Sequence, residues 1–446
     1  MPNTLVLIHG YSDNGKSFAT WREHLQDRYR RTEQIAVVDY VSLTNEVTIK
    51  DLAEGFDTAL NSRPGLSDDE DFDAIVHSTG MLVIRSWLTT YPVRRNRLKH
   101  LIGLAPATFG SPLAKKGRSW IGAVFKGNKD LGPDFLESGD MILDGLELAS
   151  PFTWALAEKD MLGNTIYYGT TDSTPYVHIF CGTDGYGGLR KLVDTPGSDG
   201  TVRQAGTGFN VRKIVLDLTK QQSVLNPTGK KNVKRWRIDA WKNADIPVHL
   251  MDGLNHGTIL TDPSDEIVDL VQKALDVDDA KSFNAWLKEA DARGRIERST
   301  KGHWQQFVVR ACDERGDPIT DYNLQLYIDK DDPSTRVEEF DKNVEVYSKD
   351  GSFRCFLIDL DKVTLSKSLW LSVLASSGTE YVFYESFQME PDAKRGPVTS
   401  RRRPDAWLDL SGLIKPADGF VSPFTTTLVE IYLDREPSEK LVTVSK

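Results

Sequence analysis

Short apolar runs in the first part of the chain predict buried β-strands, at residues 5–8, 35–38, 73–76, 101–104, 177–180 and 247–251. Helical patterns follow the first three of these runs, at residues 17–31, 51–60 and 81–90. The last of the helices is almost entirely apolar, which is typical of a helix buried on most sides. Strands that alternate with helices in this way indicate an α/β fold with a mostly parallel sheet.

The pattern changes after about residue 262. Two helices are predicted, at residues 265–275 and 280–292, and then strands with apolar residues at every second position, at 305–310, 323–328, 369–373 and 426–431. Such strands without intervening helices predict an antiparallel β-sandwich. We therefore expect an α/β domain over residues 1–280, a helical linker over 281–302 and a β-sandwich domain over 303–446.

Composition and charge narrow the class of protein. The chain has 446 residues, a net charge of −10 and an isoelectric point of about 5.4, so nucleic acid is not expected as its main partner. Its three cysteines are too few and too scattered for a disulfide framework or a zinc site. No apolar stretch is long enough for a transmembrane helix, and oligomerisation cannot be deduced from the sequence.

The N-terminus predicts a location. Met1 to Thr4 lead directly into the first apolar run, without the charged, apolar and small-residue segments of a signal peptide. The expectation is a cytoplasmic protein, with export by a route that needs no leader as the alternative.

The sequence Val76-His77-Ser78-Thr79-Gly80 stands between a predicted strand and a predicted buried helix. A nucleophile elbow needs this context, because a sharp strand-to-helix turn holds the serine hydroxyl above the sheet and requires small neighbours. The usual motif is G-x-S-x-G, and here a β-branched valine occupies the first glycine position. Ser78 is the candidate nucleophile.

Candidate partners of Ser78 occur later in the chain. Asp199 lies on a turn-rich segment well after the strand at 177–180, and His256 follows the strand at 247–251. The order Ser, Asp, His is that of the α/β-hydrolase fold. A serine is a poor nucleophile until a histidine takes its proton, and a carboxylate orients that histidine. Asp184, nearer to the strand at 177–180, remains the alternative acid.

The loop after the first strand contains His9-Gly10-Tyr11. At this end of the sheet its backbone can supply a donor for an oxyanion hole, so we assign the two donors to the N–H groups of Tyr11 and Thr79. His9 and His77 are interpreted as structural hydrogen-bonding residues around the site.

The same loop also matches a phosphate-binding P-loop, because residues 10–17 read G-Y-S-D-N-G-K-S. Asp39, after the second strand, could formally hold the magnesium ion that a nucleotide enzyme requires. This interpretation leaves Ser78, Asp199 and His256 without a role, and Asp13 would place a negative charge among phosphates. It is kept as an alternative.

With these residues identified, the first ~280 positions resemble bacterial α/β-hydrolase lipases and esterases, and more broadly lecithin:cholesterol acyltransferase-like lipases. The segments that carry the resemblance are 9–10, 77–80, 104–112, 199–202 and 256–257. The resemblance implies an acyl-enzyme mechanism without metal or organic cofactor. It also implies that the insertion at about 111–165 is a cap or lid, with Trp120 and Phe125 in the acyl pocket.

We accordingly predict a carboxylic ester hydrolase that acts on small-molecule or lipidic esters, with peripheral contact to a lipid surface as a further possibility. Phospholipase or acyltransferase activity would use the same triad with another leaving group or acceptor. Two alternatives come from other classes: the P-loop nucleotide-binding protein, and a binding protein that retains the fold without catalysis. Val76 in the elbow is the feature that favours the last.

Overall fold

The computed structural model describes residues 3–29, 34–67, 70–116, 139–169, 174–187, 195–219, 236–239, 246–300, 302–363, 368–392, 396–403, 405–414 and 421–444. It contains two compact units. The first comprises Met1–Val211, Trp241–Trp304 and Phe424–Thr426. The second comprises Arg212–Ala240, Gln305–Pro423 and Thr427–Lys446.

The first unit is built on a six-stranded parallel sheet with the order β2-β1-β3-β4-β5-β8. Its strands are β1 (Thr4–Ile8), β2 (Ile35–Val38), β3 (Phe72–His77), β4 (Leu98–Leu104), β5 (Tyr176–Gly182) and β8 (Val248–Met251). All residues of β3 and β5 are buried, as expected for parallel strands that are covered on both faces. The predicted α/β class and parallel sheet are confirmed.

Helices cover this sheet. Among the described residues they are α1 (Ala19–Leu25), α2 (Ile49–Ser62), α3 (Gly80–Thr90), α4 (Pro112–Lys116), α5 (Asp140–Leu146), α6 (Pro151–Asp160), α7 (Thr258–Thr261), α8 (Asp265–Ala274) and α9 (Ala280–Thr300). The start of α2 is fixed by a capping box in which the side chains of Thr48 and Asp51 each accept a hydrogen bond from the other residue's backbone N–H. The apolar α3 buries every residue from Gly80 to Thr89, so the central helix packs as its sequence predicts.

The second unit contains two sheets. The larger sheet has eight strands. Six of them follow the order β11-β12-β9-β17-β14-β15, while β6 pairs with β17 and β7 pairs with β6. The smaller has the order β10-β13-β16. Their bounds are β6 (Arg212–Asp217), β7 (Trp236–Asp239), β9 (Trp304–Asp313), β10 (Tyr322–Tyr327), β11 (Val344–Val346), β12 (Phe353–Asp359), β13 (Trp370–Ala375), β14 (Val382–Asp392), β15 (Gly396–Arg403), β16 (Asp405–Asp409) and β17 (Thr426–Pro437), with α10 (Glu338–Lys342) between β10 and β11.

Side chains from both sheets form one apolar core. Phe307 of β9 and Ile431 of β17 belong to the same buried cluster as Leu324 of β10 and Val373 of β13. Two sheets that share a core in this way form a sandwich, as the alternating pattern predicts.

The sandwich differs from the prediction in the direction of one strand pair. The larger sheet is mixed rather than antiparallel, because β6 pairs in parallel with β17, with Ile214 opposite Val429. The strands β6 and β7 come from residues 212–240, which lie within the predicted α/β domain of residues 1–280. A run of apolar residues identifies a strand, but it does not encode which sheet the strand joins.

Within the described residues, no helix combines the length and apolar character needed to cross a membrane.

Candidate active site

Ser78 occupies a strained turn between β3 and α3. Its φ angle is +52°, in the left-handed region that non-glycine residues rarely adopt. Three backbone hydrogen bonds hold it there. The Ser78 N–H donates to Leu104 O at 3.3 Å, and Ser78 O accepts from Ala107 N at 3.0 Å and from Met81 N at 3.2 Å. Strain of this kind persists only where the surroundings fix it, and it is frequent at functional sites.

Two glycines make this turn possible. A Cβ atom on Gly80 would lie 2.7 Å from Ile8 O and 2.9 Å from His9 O, both backbone atoms. A Cβ atom on Gly10 would lie 2.9 Å from the Cβ of Ser78. The close approaches therefore occur at positions 10 and 80. Val76, the β-branched residue at the first glycine position of the motif, is fully buried as the penultimate residue of β3.

Asp199 and His256 are joined by a hydrogen bond. The Nδ1 of His256 lies 2.9 Å from Asp199 Oδ2, and both side chains are fully buried. The second carboxylate oxygen, Oδ1, accepts from the N–H groups of Thr201 and Val202 at 3.0 and 2.8 Å. The His256 N–H also donates to the carbonyl oxygen of Asp199 at 3.0 Å. The turn at Asp199 and the turn at His256 are therefore hydrogen-bonded to each other, and both oxygens of the Asp199 carboxylate accept hydrogen bonds.

The rival acid has a different position. Asp184 is exposed, and its Oδ1 accepts from the Thr183 hydroxyl at 3.0 Å. Its backbone N–H donates to Leu254 O, so the residue contributes to the path of the chain before His256. Of the two candidate carboxylates, Asp199 is the one bonded to the histidine.

A tight contact brings the histidine loop over the sheet. A Cβ atom on Gly182, at the end of β5, would lie 2.2 Å from Leu254 O, so only glycine permits this approach. The side chain of Asn255 then accepts from Gly257 N and Thr258 N, both at 2.9 Å, and satisfies donors at the start of α7. His256 is thereby held between a glycine contact and a helix start.

The two histidines beside the elbow are buried. The rings of His77 and His256 are 4.7 Å apart between centroids. Burial, together with the nearby His256 and His9, lowers the pKa of His77 well below its ordinary value. A neutral His77 beside His256 adds no positive charge to the site, and a structural role for His77 stays a prediction.

The two residues predicted to supply oxyanion donors, Tyr11 and Thr79, are each next in the chain to a residue of the elbow contact. Thr79 directly precedes α3, and its carbonyl accepts the first helical hydrogen bonds from Leu82 and Val83, so its N–H lies at the start of that helix. Tyr11 follows Gly10, the residue that contacts Ser78. Sequence reasoning missed two residues here, Tyr40 and Ser42, which follow β2 and hydrogen-bond to the Tyr11 loop. Their position directly after the second strand is the feature of the sequence that could have identified them.

The loop that matches the P-loop motif does not form a phosphate cradle. The Gly15 N–H donates to Asp39 Oδ1 at 2.6 Å, and the Lys16 N–H donates to Asn14 Oδ1 at 3.0 Å. The Ser17 hydroxyl donates to Asp13 Oδ2 at 2.7 Å. The backbone N–H groups of Gly15 and Lys16, which would have to bind phosphate, are therefore already hydrogen-bonded to side chains. This geometry argues against the nucleotide-binding alternative.

The proposed cap is described only in part. Trp120 and Phe125, the predicted acyl-pocket residues, lie outside the described residues. The described part of the insertion includes α6, which an ion pair joins to the helix after the nucleophile: Arg85 of α3 binds Asp160 with distances of 2.8 and 3.0 Å. In the described parts of the chain, no group of three or more His, Cys, Asp or Glu side chains is arranged to hold a metal ion.

Comparisons with known proteins agree with this architecture. No family model and no curated protein sequence matches the chain. Among solved structures it is similar to phospholipase PlaB from Legionella pneumophila, with a TM-score of 0.77, 21% identity and coverage of 99% of this chain and 96% of that one. The same protein in complex with thio-NAD gives a TM-score of 0.74 at 22% identity, with coverage again 99% and 96%. The chain thus has the α/β-hydrolase fold, followed by a β-rich domain, while a closer relation to lecithin:cholesterol acyltransferase-like lipases stays a prediction.

Proposed function

We propose that the chain is a serine-dependent carboxylic ester hydrolase that acts on lipid esters through an acyl-enzyme. The observation that carries the proposal is the buried hydrogen bond of 2.9 Å between His256 Nδ1 and Asp199, beside an elbow whose serine has a φ angle of +52°. A carboxylate accepts from Nδ1–H, so the lone pair of the neutral imidazole is on Nε2. That nitrogen can then accept a proton from the hydroxyl of Ser78.

In the proposed mechanism, Ser78 Oγ attacks the acyl carbonyl while His256 takes its proton. Asp199 holds the imidazole in the required tautomer and stabilises the imidazolium. The N–H groups of Tyr11 and Thr79 bind the oxyanion, and one such donor contributes about 2.7–4 kcal/mol to the stability of the transition state. His256 then protonates the leaving alcohol. Water, activated by the same histidine, hydrolyses the acyl-enzyme and regenerates Ser78.

The substrate class rests on the comparison with a phospholipase, which covers nearly the whole of both chains. The fold is shared at 21% identity, a level at which the pocket and its preference can differ. Within the proposed chemistry, hydrolysis of a phospholipid acyl ester is therefore the first activity to test. Neutral-lipid hydrolysis and transfer of the acyl group to another alcohol use the same steps with another leaving group or acceptor.

Labelling with a fluorophosphonate probe tests the proposal most directly. Intact mass should increase by one adduct in the wild-type protein and remain unchanged in Ser78→Ala. Ser86→Ala is a matched control, since Ser86 is a buried serine on α3 without an assigned role, and it should label like the wild type. Absence of a Ser78-dependent adduct, under conditions in which a known serine hydrolase labels, would overturn the proposed mechanism.

A substrate panel then separates the candidate activities. Phosphatidylcholine, triacylglycerol and p-nitrophenyl esters graded from butyryl to palmitoyl distinguish phospholipase, lipase and general esterase activity. Addition of a second alcohol reveals acyl transfer, because a new ester forms in place of the free acid. A protein that binds these lipids, labels with none of the probes and releases no fatty acid would instead be a non-catalytic binding protein.

A further inference from the structure

Gly10, whose peptide bond joins it to Tyr11, lies directly against the nucleophile. A Cβ atom on Gly10 would be 3.4 Å from Ser78 Oγ. In a planar trans peptide the C=O and the following N–H point in opposite directions. Any group that fixes the carbonyl of Gly10 therefore also fixes the direction of the Tyr11 N–H, which the proposed function assigns to the oxyanion hole.

His9 fixes that carbonyl. Its Nδ1 lies 2.8 Å from Gly10 O. Since a carbonyl oxygen only accepts, Nδ1 carries the proton, and Nε2 is left to accept from the backbone N–H of Tyr40 at 3.3 Å. The ring is fully buried. Both of its nitrogens are thus committed to backbone groups, one on each of two neighbouring loops.

Tyr40 holds the preceding carbonyl and the histidine ring. Its hydroxyl donates to His9 O at 2.7 Å, and its ring stacks on His9 with centroids 4.2 Å apart and an interplanar angle of 17°. Burial, and to a smaller extent Asp13, raises the pKa of Tyr40 above its ordinary value, so the hydroxyl stays protonated and remains a donor.

The other side of the loop is held from the same segment. The Ser12 N–H donates to Ser42 Oγ at 2.8 Å, and Ser12 has a φ angle of +57°. Consecutive groups of the loop, namely His9 O, Gly10 O and Ser12 N, are therefore each bound by a defined side chain. Two of these three side chains come from residues 40–42, directly after β2.

We propose that His9 and Tyr40 are positioning residues, which aim the Tyr11 N–H at the oxyanion that forms on the substrate. The inference rests on the proposed function. His9 and Tyr40 act through the peptide bond between Gly10 and Tyr11 and do not contact the reacting atoms. Their contribution belongs to the transition state, because the oxyanion exists only there.

Tyr40→Phe tests this role with a minimal change, since it removes the hydroxyl and retains the stacked ring. Complete loss of an oxyanion donor lowers kcat by about 10²–10³-fold, so imperfect aim should lower kcat by about tenfold. KM should stay within about twofold, because substrate binding does not use the oxyanion contact. A trifluoromethyl ketone, which forms a tetrahedral oxyanion on the serine, should lose affinity in parallel with kcat.

Tyr168→Phe is the matched control. The Tyr168 hydroxyl likewise donates one hydrogen bond of 2.7 Å, in this case to Asp160, and Tyr168 is fully buried whereas Tyr40 is half-buried. The control variant should lower the melting temperature to a similar extent and leave both kcat and the affinity for the trifluoromethyl ketone unchanged. A purely structural role for Tyr40 would make the two variants behave alike.

The outcomes separate the two proposals. If wild-type turnover depends on Ser78 and Tyr40→Phe retains full kcat and full affinity for the trifluoromethyl ketone, the positioning role is overturned and the ester hydrolase proposal stands. The same conclusion follows if Tyr168→Phe reduces kcat as much as Tyr40→Phe does. If the wild type shows neither Ser78-dependent labelling nor turnover, both proposals are overturned.

Discussion

The Nε2 of His77 donates a hydrogen bond of 3.0 Å to the backbone carbonyl oxygen of His256. The residue before the candidate nucleophile is thereby bonded to the main chain of the candidate general base. The bond crosses from the end of β3 to the loop after β8, two strands that are not neighbours in the sheet. It fixes the distance between the elbow and the histidine loop independently of the bond to Asp199.

Loss of this bond should impair the chemical step. We expect His77→Leu, which cannot donate, to lower kcat by about tenfold to a hundredfold, because displacing a catalytic group by about 1 Å costs about that much. Steady-state kinetics on an ester that the wild type hydrolyses would measure it. His178→Leu makes the same replacement at another fully buried histidine, on β5, and should retain kcat. Equal kcat values for the two variants would contradict a role for the His77 bond.

Asp199→Asn should nearly abolish turnover while leaving the fold in place. An amide can donate to Nδ1, which would favour the wrong imidazole tautomer, and a fall in kcat on the order of 10³–10⁴-fold is expected. Asp184→Asn serves as the matched control and should retain activity, since Asp184 is exposed. Comparable losses in the two variants, measured as initial rates on one ester, would exclude Asp199 as the distinct triad acid.

Gly80→Ala should disrupt the elbow. The added methyl group would meet two backbone carbonyl oxygens at 2.7 and 2.9 Å, and neither atom can move without displacing β1 or the oxyanion loop. We expect a loss of about 1–3 kcal/mol in the free energy of unfolding, with loss of activity. Gly55→Ala is the control, because Gly55 lies in α2 with nothing within 4 Å of its added Cβ. It should stabilise the protein by about 0.5–1 kcal/mol. Urea unfolding curves of both variants measure these changes in the free energy of unfolding, and a Gly80→Ala variant as stable as Gly55→Ala would contradict the prediction.

The sequence was sufficient to predict the parallel sheet and to select the residues of the candidate triad, because both follow from local signals, and the triad itself stays a prediction. Buried parallel strands read as apolar runs, and the elbow, Asp199 and His256 each follow such a run. Signals of that kind say nothing about partners distant in the chain. For that reason the parallel pairing of β6 with β17 and the contact of Tyr40 with His9 were not foreseen. The interpretation of Val76 as a feature that favours a non-catalytic protein has the same origin, since the motif alone does not show that Gly10 and Gly80 provide the close approaches.

Buried histidines should make stability depend on pH. Burial is the main cause that lowers the pKa of His77 and of His178 well below the ordinary value. The unfolded chain therefore binds more protons than the folded protein below about pH 6.5, the ordinary histidine pKa. Their stabilising contribution is fully present above that pH and is lost as the pH falls toward the folded pKa, by up to about 1.4 kcal/mol per pH unit for each group.

His178→Leu isolates one of these contributions. Between pH 7.5 and pH 5, the free energy of unfolding of this variant should fall less steeply than that of the wild type. The two slopes should differ by at most the contribution of one bound proton, about 1.4 kcal/mol per pH unit. His100 acts in the opposite direction. Burial lowers its pKa, but the hydrogen bond and charge of Asp73 outweigh burial and raise it overall, so its contribution is lost as the pH rises. Identical slopes in the variant and the wild type would contradict the assignment.

The buried ion pair between Arg85 and Asp160 should contribute strongly to the stability of the first unit. Both side chains are fully buried, and Arg85 also donates to Thr108 O at 2.8 Å. Arg85→Met leaves the Asp160 carboxylate buried without its cationic partner, which should cost about 3–5 kcal/mol. The double variant with Asp160→Leu should recover much of that loss, because no unpaired charge remains. An exposed pair, Lys440 and Glu380, provides the comparison: Lys440→Met should cost only about 0–1 kcal/mol. A double-mutant cycle by urea unfolding measures the coupling free energy between Arg85 and Asp160. If the double variant is no more stable than Arg85→Met, the loss arises from packing and not from the unpaired carboxylate.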